Sequence, residues 1–215
     1  MQKTTKYVIF NTKWGYFGLA GTKYGLCRTC LPGPNSEKIK LHLLKTLPLE
    51  QRGASIEHRE PSIEFDKTFF KPIQEQIAAY FEGVWVDFGL DVPVILSGFS
   101  AFQKAVLTAC RYVNFGQTTT YGELAKRSGR PAAARAVGNA LAKNPLPLII
   151  PCHRVIRNDG SLGGFSGLGG LSLKRKLLLH EQSRQTTMVF GESRARPSSF
   201  LPETIRQARF HLKGQ

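Results

Sequence analysis

A cysteine and a histidine stand side by side in the second half of the chain, at Cys152 and His153. The apolar run 148–150 and Pro151 come directly before them, and Arg154 follows. A thiolate is the nucleophilic form of cysteine, and a neighbouring base or positive charge increases its population at neutral pH. The pattern therefore allows a reactive Cys152. It equally allows a buried, inert cysteine, which is the commoner fate of an isolated thiol, and these residues alone leave both interpretations open.

The elements that must position this pair are predicted from the sequence before it. Residues 120–129 predict a short helix and a glycine-containing turn, and residues 131–143 predict a second helix with a proline near its start. The run 148–150 then predicts a strand that leads to Cys152. The two helices suit a helix-turn-helix. Since helix pairs with a glycine turn are common, this feature alone is a weak indication of DNA binding.

The second of these helices consists largely of small residues, from which the long side chain of Arg135 projects. The small residues include Ala133, Ala134, Ala136, Gly138 and Ala140. A recognition helix in the major groove usually presents several long polar side chains. A nearly bare helix suits a close approach to a DNA backbone or to the narrow minor groove, with Ala133, Ala134, Arg135 and Gly138 at the interface. Tight packing against another helix explains the composition equally well.

The charge is strongly positive and unevenly distributed. The 215 residues include 30 Lys+Arg and 15 Asp+Glu, for a net charge of +15. Residues 1–96 have a net charge of +2, residues 97–182 of +9, and residues 183–215 of +4. Such asymmetry indicates a polyanionic partner for the middle segment, with nucleic acid favoured over a membrane because no amphipathic membrane face accompanies it.

The first segment has the pattern of a supporting domain. Residues 7–10 and 16–20 predict strands joined by a turn, and residues 69–81 predict a helix that stops at Gly83. A further helix is predicted to begin at a Ser100 cap and to end near residue 116. We therefore expect an α/β (α+β) fold with three parts. These are a small, three-layer-like α/β domain (1–96), a mostly helical domain with the helix-turn-helix (97–182), and a basic extension (183–215).

Five stretches of the middle segment match one known family, in order and at nearly its spacing. They are FQKAV (102–106), TTYGELAKRSG (119–129), ARAVGNALAKNPLPLIIPCHRVI (134–156), GGFSG (163–167) and LLLHE (177–181). On these motifs the chain resembles the O6-alkylguanine-DNA alkyltransferases, or methylated-DNA–protein-cysteine methyltransferases. Residues 1–96 resemble the family only in length and strand pattern. PCHR in this context is a far more specific signal than any isolated Cys-His pair.

The resemblance implies roles for particular residues of the reaction. Cys152 would accept the alkyl group from guanine O6, His153 would act as its base through a bound water, and Glu181 would orient that histidine. Asn144 would brace the turn before the cysteine. Tyr121 would help rotate the nucleotide and protonate guanine N3.

The resemblance also implies contacts with the flipped nucleotide. Arg135 would fill the space that the base leaves in the duplex. The carbonyls of Cys152 and Val155 would bind the guanine amine, and the backbone N–H of Ser166 would address O6. Pro147 and Phe165 would line the alkyl pocket. Because the following segment, 167–170, is rich in glycine, we also expect the pocket to accept benzyl groups.

Taken together, these expectations describe a single-turnover DNA repair protein. Its partner would be double-stranded DNA containing O6-alkylguanine, and the resemblance also implies O4-methylthymine as a second substrate. No cofactor, no metal and no membrane partner are expected, and the protein is expected to be a monomer. The few cysteines and the absence of a signal-peptide pattern at residue 1 favour the cytoplasm, or the nucleus in a eukaryote.

Two other functions remain possible at this stage. One is a non-catalytic, lesion-sensing or regulatory protein that uses only the helix-turn-helix, although such relatives typically lack the acceptor cysteine. The other is a Cys-His hydrolase, although such enzymes usually bring their histidine from a distant segment. Cys27 and Cys30 form a C-x-x-C, which we interpret as two ordinary thiols because only His42 and His58 are near in sequence to complete a zinc site.

Overall fold

The computed structural model describes residues 4–47 and 62–190, with side chains up to residue 183. The chain begins with three antiparallel strands: β1 (Thr5–Thr12), β2 (Gly15–Thr22) and β3 (Gly25–Gly33). A short strand β4 (Ile63–Phe65) pairs in parallel with β1, which gives the sheet order β3-β2-β1-β4. The tight β1–β2 turn depends on Gly15, whose φ of 114° is a conformation that favours glycine. The two strands and the turn predicted here are confirmed.

Helices cover both faces of this sheet because apolar residues alternate along its strands. On one face, Tyr7, Ala20 and Cys27 pack with helix α1 (Ser36–Lys45). On the other face, Val8 and Phe17 pack into a larger core that includes helix α2 (Lys71–Glu82) and residues of the C-terminal half. Helix α2 ends at Gly83 in a left-handed conformation, as the sequence predicted. The N-terminal part is therefore layered helix–sheet–helix.

The larger core is continuous across the predicted domain boundary at residues 96 and 97. It extends from Val8 on β1 to Leu177 near the end of the described side chains. The segment just before the boundary also pairs with the sheet, since Leu26 N–H donates to the Pro93 carbonyl at 2.9 Å and Ile95 N–H donates to the Leu26 carbonyl at 2.7 Å. The segment that contains Pro93 and Ile95 is thus attached to β3. The three-part division itself stays a prediction.

The C-terminal part is mostly helical, as expected. Helix α3 (Ala101–Arg111) begins with a capping box between Ser100 and Gln103. The helix-turn-helix follows as α4 (Tyr121–Arg127), capped by Thr120, and α5 (Ala134–Ala142). A 3₁₀ turn (Cys152–Arg154) precedes β6 (Val155–Ile156), which pairs in parallel with β5 (Thr119–Thr120). A long helix, α6 (Gly170–Phe190), completes the described chain.

Two helix boundaries and one strand predicted from the sequence were wrong. Helix α3 ends at Arg111 rather than near residue 116, because the Tyr112 N–H turns to the Ala109 carbonyl at 3.3 Å. Helix α5 begins at Ala134, three residues after Pro131, because a turn closed by Ala133 N–H to the Arg130 carbonyl comes first. Residues 148–150 form a turn rather than a strand, since Leu148 has a φ of 80°.

Two further points concern the basic C-terminal extension and membrane-spanning helices. Most of the basic extension (183–215) lies outside the described residues. Within the described residues, no helix is long and apolar enough to cross a membrane.

Candidate active site and nucleic-acid interface

The turn before Cys152 is fixed by the side chain of Asn144. Its Nδ2 donates to the Ile150 carbonyl at 2.8 Å, and its Oδ1 accepts from the Leu146 N–H at 3.0 Å. These two bonds satisfy backbone groups in a buried turn, where an unpaired polar group would cost about 1–3 kcal/mol. The turn thus presents Cys152 at the start of the 3₁₀ helix, with only 7% of its surface exposed.

The surroundings of Cys152 affect its ionisation in opposite directions. Burial raises the pKa of the Cys152 thiol, whereas a hydrogen bond from Asn144 and the positive charge of Lys174 favour the thiolate. Lys174 itself is fully buried on α6 and donates to the Val155 carbonyl at 2.6 Å. Burial lowers the pKa of Lys174 to about 8, so the amine is still mostly charged at neutral pH. The site therefore contains a cation that can stabilise the thiolate once the proton has left.

His153 and Glu181 are in direct contact, as the resemblance implied. His153 Nε2 lies 2.8 Å from Glu181 Oε1, and both side chains are buried. Burial lowers the pKa of His153, which favours the neutral ring. A carboxylate only accepts hydrogen bonds, so Nε2 must hold the ring proton and Nδ1 is left as the basic nitrogen. This tautomer suits a histidine that takes a proton from Cys152.

Glu181 is held as a carboxylate by several donors besides His153. Arg154 is buried beside it and donates from Nε at 2.9 Å to Oε2 and from NH2 at 2.9 Å to Oε1. The backbone N–H of Gly116 donates to Oε2 at 2.9 Å. Burial opposes ionisation, but the hydrogen bonds and charges of His153 and Arg154 outweigh it and hold the pKa of Glu181 well below its usual range. The centre is thus a buried network of one carboxylate, one guanidinium and one imidazole.

A tyrosine from the N-terminal part completes this network. Tyr80, on helix α2, donates its hydroxyl to Glu181 Oε1 at 2.8 Å, and its backbone carbonyl lies 2.7 Å from His180 Nε2. Burial raises the pKa of Tyr80 far above its ordinary value, which keeps the hydroxyl protonated and able to donate. A helix of the N-terminal part therefore contacts the same carboxylate oxygen, Oε1 of Glu181, as His153 does.

A large cavity of about 740 Å³ lies between Cys152 and the helix-turn-helix. Tyr121, Arg135 and Gly138 line it, together with Ala134, Phe165 and Ser166. Arg135 is exposed in the first turn of α5, and Ala133 is the N-cap of the same helix. Burial raises the pKa of Tyr121, so this hydroxyl is protonated at neutral pH. The arrangement places a nucleophile at one end of a cavity and a basic, small-residue helix at the other.

A second cavity, of about 230 Å³, adjoins Cys152 on the side of the sheet. Phe165 and Ser166 line both cavities, whereas Pro147 lines only this second one. Val155 is fully buried and is not among the described lining residues of either cavity. Its carbonyl accepts from Lys174, so a contact with a guanine amine would use the second lone pair of that oxygen.

Three residues of this site were not predicted from the sequence. They are Tyr80, Lys174 and Arg154, which forms an ion pair with Glu181. A signal for Lys174 was present, since positions 174, 177, 178 and 181 form one helical stripe in which Leu177 and Leu178 are apolar. Two charged residues on an otherwise buried stripe indicate a buried polar centre. No comparable signal exists for Tyr80, because an aromatic residue on an apolar helix face is ordinary core.

The C-x-x-C is not part of the buried network around Glu181, although Cys30 lines the second cavity. Cys27 and Cys30 lie on β3 with their side chains buried, and burial raises the pKa of both thiols to about 12. His42 is exposed on α1, and His58 lies outside the described residues. Among the described residues, no group of three or more His, Cys, Asp or Glu side chains is placed to hold a metal ion.

The fold and the site together combine a helix-turn-helix with a buried cysteine next to a histidine–glutamate pair. The model of the DNA-binding domain of 6-O-methylguanine DNA methyltransferases matches residues 101–183. A methylated-DNA–protein-cysteine methyltransferase of Methanosarcina acetivorans is 43% identical over 118 residues, which cover 55% of this chain and 72% of that protein. The chain belongs to the methylated-DNA–protein-cysteine methyltransferase family.

Two further relatives show how far the similarity extends. The methyltransferase of the same name from Mus musculus is 43% identical over 109 residues, which cover 49% of this chain and 51% of that protein. The crystal structure of Mycobacterium tuberculosis OGT in complex with DNA is 35% identical, with a TM-score of 0.62 over 83% of this chain and 94% of that one. The structural similarity thus includes the N-terminal sheet, where the sequence resemblance is loose.

Proposed function

We propose that this chain repairs O6-alkylguanine in duplex DNA by transferring the alkyl group to the sulfur of Cys152. The observation that best supports this is the position of Cys152, between the His153–Glu181 pair and a cavity bordered by the helix-turn-helix. A base, a nucleophile and a DNA-facing helix are the three parts that such a reaction requires.

The reaction begins with the transfer of a proton from Cys152 to Nδ1 of His153, through a water molecule. Glu181 stabilises the imidazolium that forms, and Lys174 stabilises the thiolate. The sulfur then attacks the alkyl carbon, so that the S–C bond forms while the C–O6 bond breaks and its electron pair moves onto the purine. Tyr121 donates a proton to guanine N3 and is reprotonated from solvent as His153 loses its proton. The purine thus gains as many protons as the thiol has lost.

The target atom can be reached only when the nucleotide leaves the helix. O6 lies inside the base-paired stack, and extruding a nucleotide costs a few kcal/mol. The small residues of α5 allow close approach to the minor groove, and Arg135 compensates sterically and electrostatically for the missing base. The 740 Å³ cavity behind Arg135 receives the flipped base.

The product is a thioether, which water does not readily cleave, so each molecule acts once. The active unit is proposed to be a monomer. O4-methylthymine presents a chemically similar alkyl–oxygen bond and is proposed as a second, weaker substrate.

One experiment separates this function from the sensor and the hydrolase. The protein is incubated with duplex DNA containing O6-methylguanine and digested, and the peptide containing Cys152 is weighed. Transfer predicts a gain of about 14 Da, one CH₂, on that peptide and no gain in a Cys152→Ala variant. An unmodified peptide with intact binding would favour the sensor, and cleavage of ester or peptide substrates would favour the hydrolase.

A further inference from the structure

The tight turn between β1 and β2 contains a tryptophan, although such turns favour Gly, Asn, Asp and Pro. Trp14 is half-buried in this turn, whereas the neighbouring Lys13 is exposed. The Thr12 hydroxyl donates to the Gly15 carbonyl at 2.6 Å and accepts from the Trp14 N–H at 3.3 Å. These bonds fix the backbone from which the indole ring projects.

The indole ring contacts two residues of helix α6. Lys176 Nζ lies 3.9 Å from the centroid of the ring, which is the position of a cation–π contact. The His180 ring packs against the indole in an edge-to-face arrangement, with the two centroids 4.9 Å apart. His180 Nε2 also lies 2.7 Å from the Tyr80 carbonyl on helix α2. Trp14 therefore joins α6 to the hairpin, and His180 joins it to α2.

The same helix carries the carboxylate of the reaction centre. Glu181 directly follows His180, and its Oε1 lies 2.8 Å from His153 Nε2. Lys176 is about one helical turn before His180, since an α-helix has about 3.6 residues per turn, so both residues lie on one face of α6. Contacts at two positions of one face resist rotation of the helix about its axis. Such a rotation would move Glu181 relative to His153.

The pair of Glu181 and His153 tolerates little displacement. A hydrogen bond of this kind weakens beyond about 3.2 Å, so a movement of roughly half an ångström is enough to loosen it. Because His153 is only 1% exposed, solvent water does not readily replace the carboxylate. Glu181 raises the pKa of His153 against the effect of burial. A displaced Glu181 would therefore leave the imidazole with a lower pKa and a less fixed orientation.

We propose that Trp14 is a positioning residue of the reaction, which holds α6 through Lys176 and His180 where Glu181 meets His153. This inference rests on the proposed function and gives the first hairpin turn a part in it. Trp14 is not among the described lining residues of either cavity next to Cys152. Its effect is therefore transmitted through α6 rather than by contact with the DNA or the sulfur.

The test measures single-turnover transfer from duplex O6-methylguanine to Cys152 as a function of pH in variants of Trp14. Trp14→Leu removes the ring but retains an apolar side chain next to Phe81, whose ring centroid is 5.2 Å from that of the indole. We expect transfer to slow about fivefold, the effect of losing one cation–π and one aromatic contact. The acidic limb of the pH–rate profile should move to lower pH, because His153 loses part of its counter-charge.

Two further variants separate the ring from its volume and from its cation. Trp14→Phe retains an aromatic face and should stay within about twofold of the wild-type rate. Lys176→Met removes the cation from an exposed side chain of similar length, and it should slow transfer about twofold. Combined with Trp14→Leu, the Lys176→Met change should slow transfer no further, because both changes remove the same contact.

Tyr24→Leu is the matched control. Tyr24 also lies in a hairpin turn of this sheet, and Lys23 Nζ of the same turn lies 5.1 Å from its ring centroid. Removing this ring should leave the rate and the pH profile unchanged. A folded Trp14→Leu variant with the rate and profile of the wild type would overturn the proposal. An equal loss in Tyr24→Leu would overturn it as well.

A second readout keeps this proposal distinct from the proposed function. If the wild type transfers no methyl group, the proposed function fails. NMR of ¹⁵N-labelled histidine follows the ionisation of His153 without any DNA. A pKa of His153 that is lower in Trp14→Leu than in the wild type would support the positioning role, and an equal pKa would contradict it.

Discussion

The sheet region (residues 1–96) and the helical region (residues 97–182) of this protein differ in their net charge and in the motifs that their sequences contain. Residues 1–96 are nearly neutral and contain no motif of a reaction, whereas residues 97–182 have a net charge of +9 and contain PCHR. In the structure the two regions meet at Glu181. Tyr80 of the first region and His153 of the second both form hydrogen bonds with its Oε1. Thr29 likewise holds the turn before the acceptor. The region without motifs is therefore part of the active site and not only its support.

The largest effect is expected from removing the charge of Glu181. Glu181→Gln leaves the histidine without its counter-charge and the buried Arg154 unpaired. The rate of transfer to Cys152 should fall about a hundredfold, as for the loss of a positioned base, and the free energy of unfolding should fall by about 3 kcal/mol. Single-turnover kinetics and urea unfolding measure the two effects. A variant as fast as the wild type would show that Glu181 does not act through His153.

Arg135→Ala should produce the next largest effect, and only on duplex DNA. Without the side chain that replaces the flipped base, transfer from duplex O6-methylguanine should slow roughly tenfold or more, since extrusion costs a few kcal/mol. Free O6-benzylguanine needs no extrusion, so its reaction with Cys152 should change little. Equal slowing with both substrates would contradict the role of Arg135 in flipping.

Tyr80→Phe tests whether the N-terminal region contributes to the reaction. The change removes one donor from Glu181 and leaves those of His153, Arg154 and Gly116 in place. A hydrogen bond to a charged group contributes about 1.5–3 kcal/mol, and we expect a fall in transfer rate of roughly threefold to tenfold. A carboxylate with fewer donors also binds the imidazolium more strongly, so the acidic limb of the pH–rate profile should move to higher pH.

The pH profile distinguishes a positioning role of Tyr80 from a structural one. Tyr7→Phe is a suitable control, because Tyr7 belongs to the core on the other face of the sheet. That control should leave both the rate and the profile unchanged. If Tyr80→Phe lowers stability but leaves the profile where it was, the hydroxyl only packs.

The smallest effect is expected from Thr29→Val. The substitution keeps the shape but loses the hydrogen bond to the Pro147 carbonyl, so the free energy of unfolding should decrease by about 1 kcal/mol. Methyl transfer should hardly change, because the backbone bond from Thr29 to Pro145 remains. Thermal unfolding measures the first effect, and an unchanged stability would show that water replaces the lost bond.

The sequence predicted those parts of the molecule that depend on local signals. Ser100 and Gly83 delimit helices through their own caps, and both were confirmed. The left-handed Leu148 was missed because an apolar run predicts a strand, whereas the Asn144 side chain bonds to Leu146 and Ile150 on either side of Leu148 and closes a turn. Tyr80 and Glu181 are 101 positions apart, and no local pattern links them. The contacts that couple the two regions are long-range, and the sequence of either region alone does not contain them.

The stoichiometry of the reaction tests whether Cys152 accepts one alkyl group and keeps it. The protein is mixed with an excess of duplex DNA containing radiolabelled O6-methylguanine, and the label on protein and the repaired DNA are followed to completion. If each molecule reacts once, both reach a plateau at one methyl group per protein molecule, with all protein-bound label on the peptide of Cys152. Repair that continues beyond one equivalent, or label on another residue, would contradict it.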